Sequence, residues 1–281
     1  MSLLSISDLK IEYGRGRKRT EVVHGVDLEI GTGETLGLVG ESGSGKTTIG
    51  RAVLGLVPPS GGSVVVAGHK VGGRMTTAQR RALARDVQVV FQDPYTSLNP
   101  SLTIADTLSE PLIAQGVGRA DAKRQVADLL ARVRLPADAG KRYPREFSGG
   151  QRQRVAIARA LALKPKLIVC DEPVSALDLS TQAVILDLLV DIQESTGVGY
   201  LFISHDLTVV RHISHRVAVM YRGSIVEQGK TRLITETPDH PYTRRLLLAS
   251  PLAHPVAQAE RREELNRIRA TTATGTLLEV N

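Results

Sequence analysis

Lys46, Thr47, Asp171, Glu172 and His205 are of the residue types that bind and cleave phosphate esters, and their neighbours sharpen that chemistry. Gly40-Glu41-Ser42-Gly43-Ser44-Gly45-Lys46-Thr47-Thr48 has the spacing G-x-x-x-x-G-K-[ST]. Its glycines let consecutive backbone N–H groups curl around an anion without side-chain clash. Lys46 can then contact outer phosphates, and the Thr47 hydroxyl can coordinate magnesium. A plain Gly-rich turn gives the same letters. Here an apolar run precedes the loop and a helical pattern follows, the context that marks a nucleoside triphosphate site. Asp171 and Glu172 close the apolar run Leu167-Ile168-Val169-Cys170. Carboxylates at a strand's C-terminal end emerge beside such loops. Asp171 would bind magnesium, directly or through water. Glu172 would orient and deprotonate the attacking water. By itself an acidic pair before Pro173 would suit a helix start. Gln92 ends a strand candidate and could touch magnesium and that water. His205 follows the apolar run 200–204 and could hydrogen-bond the terminal phosphate. Alone, neither would mean much.

Phe147-Ser148-Gly149-Gly150-Gln151-Arg152-Gln153-Arg154 opens a further helix. Ser148 is a good N-cap, and Gly149 and Gly150 leave backbone N–H groups open, a second anion site at a helix N-terminus. This segment cannot reach the same nucleotide from within one compact domain, so a second copy or a sister chain must supply it.

These residues need a sheet to hold them. Residues 3–13 and 22–30 alternate apolar and polar side chains and predict strands. Residues 31–34 read as a turn and 35–39 as a buried strand feeding the loop. From Lys46 the pattern is helical, with Ile49, Ala52, Val53 and Leu56 on one face, until Pro58-Pro59-Ser60-Gly61-Gly62. Residues 86–91 read as a strand. Helices follow at 103–115, 120–134 and 151–163, a helical insertion of about 93–163. The α/β rhythm then resumes: strands 167–170 and 200–204, helices 180–194 and 207–213, and a hairpin of 216–221 with 224–228. Alternating strands and helices argue for a largely parallel sheet covered on both faces. Residues 259–269 suit a charged helix, and 271–281 carry no strong pattern.

The 281 residues allow one large domain or two small ones, and 42% hydrophobic residues support a core. Aromatic residues are only 3% and Trp is absent, so Val, Leu, Ile and Ala must fill it. The formal charge of +7 is dispersed apart from Arg15-Gly16-Arg17-Lys18-Arg19, read as a solvated loop rather than a nucleic-acid or lipid contact. The lone Cys170 excludes an internal disulfide and reads as core packing. The first residues lack the plan of a secretory signal. No stretch approaches the roughly 20 apolar residues of a membrane span.

Taken together, the segments resemble the ABC ATPase family over about residues 3–250. The resemblance equates 40–47 with Walker A, 167–171 with Walker B, Glu172 with the catalytic glutamate and Gln92 with the Q-loop. It equates Ser148 to Gln151 with the signature, Ser175-Ala176-Leu177-Asp178 with the D-loop, His205 with the switch histidine and Tyr13 with the aromatic that stacks on adenine. Phe147 replaces the commoner Leu, apolar for apolar. The resemblance implies a P-loop NTPase (RecA-like) α/β core, an N-terminal antiparallel β subdomain and an inserted α-helical subdomain. It implies an ATPase domain over 1–250 and an extension over 251–281. ATP and Mg2+ would bind between the Gly40 loop of one subunit and the Ser148 segment of another, in a homo- or heterodimer. Two transmembrane permease subunits and, indirectly, an extracytoplasmic solute-binding protein would complete an importer. The chain itself would lie peripherally on the cytoplasmic face of the membrane.

Residues 92–100, 143–147 and His240-Pro241-Tyr242-Thr243 resemble the oligopeptide/dipeptide/nickel importer subfamily, although 240–243 would also suit a turn capping a C-terminal helix. Some of its members hold an iron–sulfur centre on a C-terminal cysteine cluster. This chain has no cysteine after Cys170, so no cluster is expected. Two other functions compete. A soluble ABC ATPase acting on DNA or ribosomes would carry a long coiled-coil insertion or two cassettes, and neither occurs here. A regulatory subunit without turnover is disfavoured by Glu172 and His205.

Overall fold

The computed structural model describes residues 2–14 and 19–249. Residues 15–18 of the basic cluster, the candidate helix at 259–269 and the proposed extension at 251–281 lie outside the described residues. The chain opens with β1 (Ser2–Tyr13) and β2 (Thr20–Gly31). They pair antiparallel, with Leu4 opposite Ile30, Ile6 opposite Leu28 and Ile11 opposite Val23. All six side chains are buried, so the alternation turns one face of the pair to the core. Then come β3 (Thr35–Val39), α1 (Lys46–Val53), β4 (Gly61–Val66), β5 (His69–Val71) and α2 (Thr77–Asp86). The strands β2-β1-β4-β5 make a four-stranded sheet in that order, each pair antiparallel.

Nothing in the sequence pattern announced β4, β5 or α2. β4 is short and opens on two glycines, and only Leu83 and Asp86 of α2 are buried, so no apolar stripe marks that helix. Its true signal is a capping box: Gln79 N–H donates to Thr76 Oγ1 and Thr76 N–H to Gln79 Oε1. The strand expected at 86–91 is the shorter β6 (Val87–Val90). Asp86 belongs to α2, its carboxylate tied to His69, Lys166 and Arg85.

The rest comprises α3 (Pro94–Ser97), α4 (Ile104–Ala114), α5 (Arg119–Arg132), α6 (Gly149–Leu161), β7 (Leu167–Asp171), α7 (Leu179–Thr196), β8 (Gly199–Ser204), α8 (Leu207–Ile213), β9 (Arg216–Tyr221), β10 (Ser224–Lys230), α9 (Thr231–Glu236) and α10 (Pro241–Ala249). A six-stranded sheet runs β10-β9-β3-β8-β7-β6. Every neighbouring pair is parallel except the hairpin β9–β10. Its inner strands are buried on both faces, and successive residues go to opposite sides. Leu36, Leu38, Val169, Leu201 and Ile203 join α1 and the four-stranded sheet in one core. Ile168, Cys170, Tyr200 and Phe202 join α7, α8 and the inserted helices in the other. This is the anticipated α/β architecture, with α3 to α6 inserted between two adjacent strands. Burial pushes the Cys170 thiol far up, with the nearby Asp171 charge adding to it. That suits an unreactive core residue.

Candidate functional site

The parallel strands β3, β7 and β8 end at the same edge, and each delivers a group. β3 delivers the glycine loop. Gly45 caps α1 with φ 109°, a left-handed conformation, and no side chain bonds the first N–H groups of the helix. A Cβ on Gly45 would meet Met220 Cε at 2.7 Å, and one on Gly40 would meet the Met220 carbonyl oxygen at 2.2 Å. The loop therefore leans directly on β9. Lys46 is buried, and its Nζ donates to the carbonyls of Gly40 (2.7 Å) and Glu41 (2.8 Å). Burial lowers its pKa, opposed by the charges of Glu172, Asp171 and Glu41. A desolvated ammonium with open helix N–H groups beside it is suited to an anion.

β7 delivers the carboxylates. Thr47 Oγ1 donates to Asp171 Oδ1 at 3.0 Å, joining the loop to the strand across 124 residues of sequence. Burial raises the Asp171 pKa and the Glu172 charge adds to it, while the Thr47 hydrogen bond opposes. The two oxygen donors fit a hard cation. Among the described residues no group of three or more His, Cys, Asp or Glu could hold a metal ion. A cation here would need ligands from water or phosphate, the usual habit of Mg2+.

Glu172 lies just past β7 with φ 49°, a left-handed conformation uncommon outside glycine. Its N–H donates to Ile203 O (2.9 Å) on β8, and its carbonyl accepts from Ser175 N (3.3 Å) and Oγ (3.1 Å). These bonds hold the turn that swings its carboxylate toward His205, whose Nδ1 stands 3.1 Å from Glu172 Oε2. Such strain concentrates at functional sites. Glu172, His205 and Asp206 face Glu41, Ser42, Leu246 and Ala249 across an open cavity of about 600 Å³.

The other expected residues are placed differently. Thr48 is half-buried on α1 and Gly43 sits exposed at the loop crest, while Ser44 is buried with its carbonyl accepting from Gly223 N. Gln92 is exposed two residues beyond β6. Tyr13 ends β1 at 40% exposure. Ser148 caps α6 in a complete capping box with Gln151. A Cβ on Gly150 would meet Thr181 Cγ2 at 2.4 Å, so glycine lets α6 start close against α7. Phe147 is buried in the core under the Arg142 guanidinium, 4.6 Å from the ring centroid. None of 148–151 lines the cavity. Arg159 of α6 donates to the Ser97 carbonyl of α3, so the helix behind Ser148 is tied to the one following Gln92.

Sequence reasoning missed the contribution of α10. The Tyr242 hydroxyl accepts from the Glu41 N–H at 2.9 Å, and Arg245 Nη2 pairs with Glu41 Oε1 at 3.2 Å. The stretch His240-Pro241-Tyr242-Thr243 held a tyrosine, but no local pattern pointed it at a loop 201 residues away.

A family model described as ABC transporter matches residues 23–175, more than half of the chain. The chain belongs to the ABC transporter family. Among curated relatives, the glutathione import ATP-binding protein GsiA of Escherichia coli (strain K12) is 52% identical over 250 residues, 88% of this chain and 40% of the relative. That of Salmonella typhimurium (strain LT2) is 50% identical over 251 residues, 89% of this chain and 40% of the relative. The chain thus spans about two fifths of the length of these curated relatives. Two solved ABC structures share the fold. A dimeric ATP-binding cassette in a post-hydrolysis state with ADP and Pi superposes with TM-score 0.73 at 30% identity, covering 82% of this chain and 99% of that one. The cbiO1 protein of Clostridium perfringens, part of the ABC transporter complex cbiONQ, gives TM-score 0.75 at 25% identity, covering 84% of this chain and 92% of that one. Among the described residues of this ABC family member, no helix is long and apolar enough to cross a membrane.

Proposed function

We propose that this chain is the ATP-binding and ATP-hydrolysing subunit of an ABC importer for small peptides or a related small solute. The observation that carries the reading is the joining of Thr47 to Asp171 beside the Glu172–His205 pair. One hydrogen bond unites the anion loop with the cation-holding carboxylate, and a water-activating carboxylate stands next to them. Lys46 and the N–H groups opening α1 bind the outer phosphates. Glu172 orients a water and takes its proton as the water oxygen bonds the γ-phosphorus and the bond to the ADP oxygen breaks. His205, oriented by Glu172, hydrogen-bonds the γ-phosphoryl oxygens. When bound, Mg2+ neutralises charge on the phosphates; Thr47 and Asp171 would hold it, and Gln92, beyond the neighbouring strand β6, would join them. Tyr13 stacks on the base.

The Ser148 turn serves the site of a second subunit. Its support is that Ser148 to Gln151 open α6 with Ser148 exposed and line no part of the cavity that holds Glu172 and His205. Leu179, 82% exposed on the first turn of α7, adds an apolar surface beside the 175–178 segment expected to meet that partner. Two permease subunits and a solute-binding protein complete the transporter, with this chain on the cytoplasmic face, its ATPase domain over 1–250 and an extension over 251–281. The importer assignment and the peptide class draw on the GsiA relatives, whose name states glutathione import. Glu172→Gln tests the reading: ATP binding persists and turnover falls by about 10²–10⁴-fold. Hydrolysis at the unaltered rate would overturn the assigned base.

A further inference from the structure

α10 reaches the nucleotide loop at one residue and grips it twice. Glu41 offers three polar groups, and each has a partner. Its N–H donates to the Tyr242 hydroxyl, its carboxylate pairs with Arg245, and its carbonyl accepts from Lys46 Nζ. The peptide that receives the Lys46 ammonium is therefore positioned from α10. Tyr242 is only 5% exposed, and its ring lies 4.3 Å from that of Tyr221, the residue after Met220, against which the loop leans. The Arg245 guanidinium also lies over the Tyr242 ring, 5.2 Å from its centroid. Leu246 and Ala249, further along α10, form a wall of the cavity that contains Glu172 and His205. Burial raises the Tyr242 pKa, which keeps the hydroxyl protonated.

We propose that Tyr242 and Arg245 are positioning residues for ATP, with α10 acting as a clamp that holds Glu41, and through it Lys46, in the phosphate-binding arrangement. The inference rests on the 40–47 loop being the ATP site. Without the clamp the loop must be ordered by the nucleotide itself, which lowers affinity and leaves the chemical step untouched. The clamp therefore acts on KM and not on kcat.

The test is equilibrium titration of the full chain with a fluorescent ATP analogue, together with steady-state hydrolysis and the thermal midpoint without nucleotide. Tyr242→Phe keeps the ring and removes only the hydroxyl. It should weaken binding about three- to tenfold, as loss of one hydrogen bond does, and raise KM with kcat unchanged. Arg245→Gln should weaken binding about two- to threefold, and Arg245→Lys should restore most of that. The double variant should fall short of the product of the two effects, because both act on Glu41. A Tyr242→Phe chain that folds and binds ATP within about twofold of the unaltered chain would overturn the clamp, as would a fall in kcat at unchanged KM. If Tyr242→Phe fails to fold, unchanged affinity in Arg245→Gln overturns it instead. Lys46→Ala runs alongside: if that chain binds ATP normally the loop assignment itself is wrong, whereas loss of binding there with normal binding in Tyr242→Phe removes only the clamp.

Discussion

The glycine loop and the Ser148 turn each open a helix and are each proposed to meet phosphate, yet their surroundings differ. The loop is held by its own fold: Met220 backs it, Asp171 holds Thr47, and α10 holds Glu41. The Ser148 turn is braced from behind by Phe147, Thr181 and Arg159, while the Ser148 and Gln151 side chains bond each other's backbone in the capping box and Ser148 is exposed. One segment is held by three other parts of its own chain while its crest, Glu41 to Gly43, stays exposed. The other is braced from one side and exposed on the other, where the proposed second subunit would meet it.

Substitutions can break or sharpen this contrast. Glu172→Gln gives the largest effect, the about 10²–10⁴-fold loss of turnover with binding intact, and it should trap the nucleotide-bound pair. Ser148→Arg comes next. It should leave ATP binding by the isolated chain within about twofold and cut turnover about 10²-fold or more, as removal of an oriented donor does. Normal turnover would dissolve the contrast. Lys46→Ala should weaken ATP binding about ten- to a hundredfold, the loss of a charge-assisted bond, read by the same titration. The clamp substitutions on α10 come below it.

A last prediction concerns stability alone, at a polar cluster remote from both sites. Burial disfavours the Asp86 charge, but bonds from His69, Lys166 and Arg85 outweigh it and hold its pKa below the ordinary value. The unfolded chain thus takes up this proton first as pH falls. The stabilisation is fully present above the ordinary carboxylate range and is lost as pH falls through the depressed native value. Asp86→Asn should cost about 1–3 kcal/mol at neutral pH and flatten the acid limb of stability in chemical denaturation. An acid limb as steep as before would reassign it to other carboxylates.

Legibility in the sequence followed the range of the interactions. The Gly40 loop, the Asp171–Glu172 strand end and the Ser148 cap were readable because each is a short motif beside an apolar run. The buried strands were readable for the same reason. β4, β5 and α2 were not, since α2 buries only Leu83 and Asp86 and shows no periodic stripe. The left-handed turn at Glu172 left no trace in composition, because the bonds to Ile203 and Ser175 that hold it depend on the folded sheet. The Tyr242–Glu41 contact spans 201 residues, beyond any local pattern.

The central claim is that a nucleotide held by the Gly40 loop of one subunit is completed by the Ser148 turn of another. A cryo-EM structure of the assembled, ATP-loaded Glu172→Gln complex tests it most directly. The account predicts Ser148 to Gln151 of one subunit against the γ-phosphate held by Lys46 of its mate. Finding those four residues far from every γ-phosphate in the closed complex would contradict it.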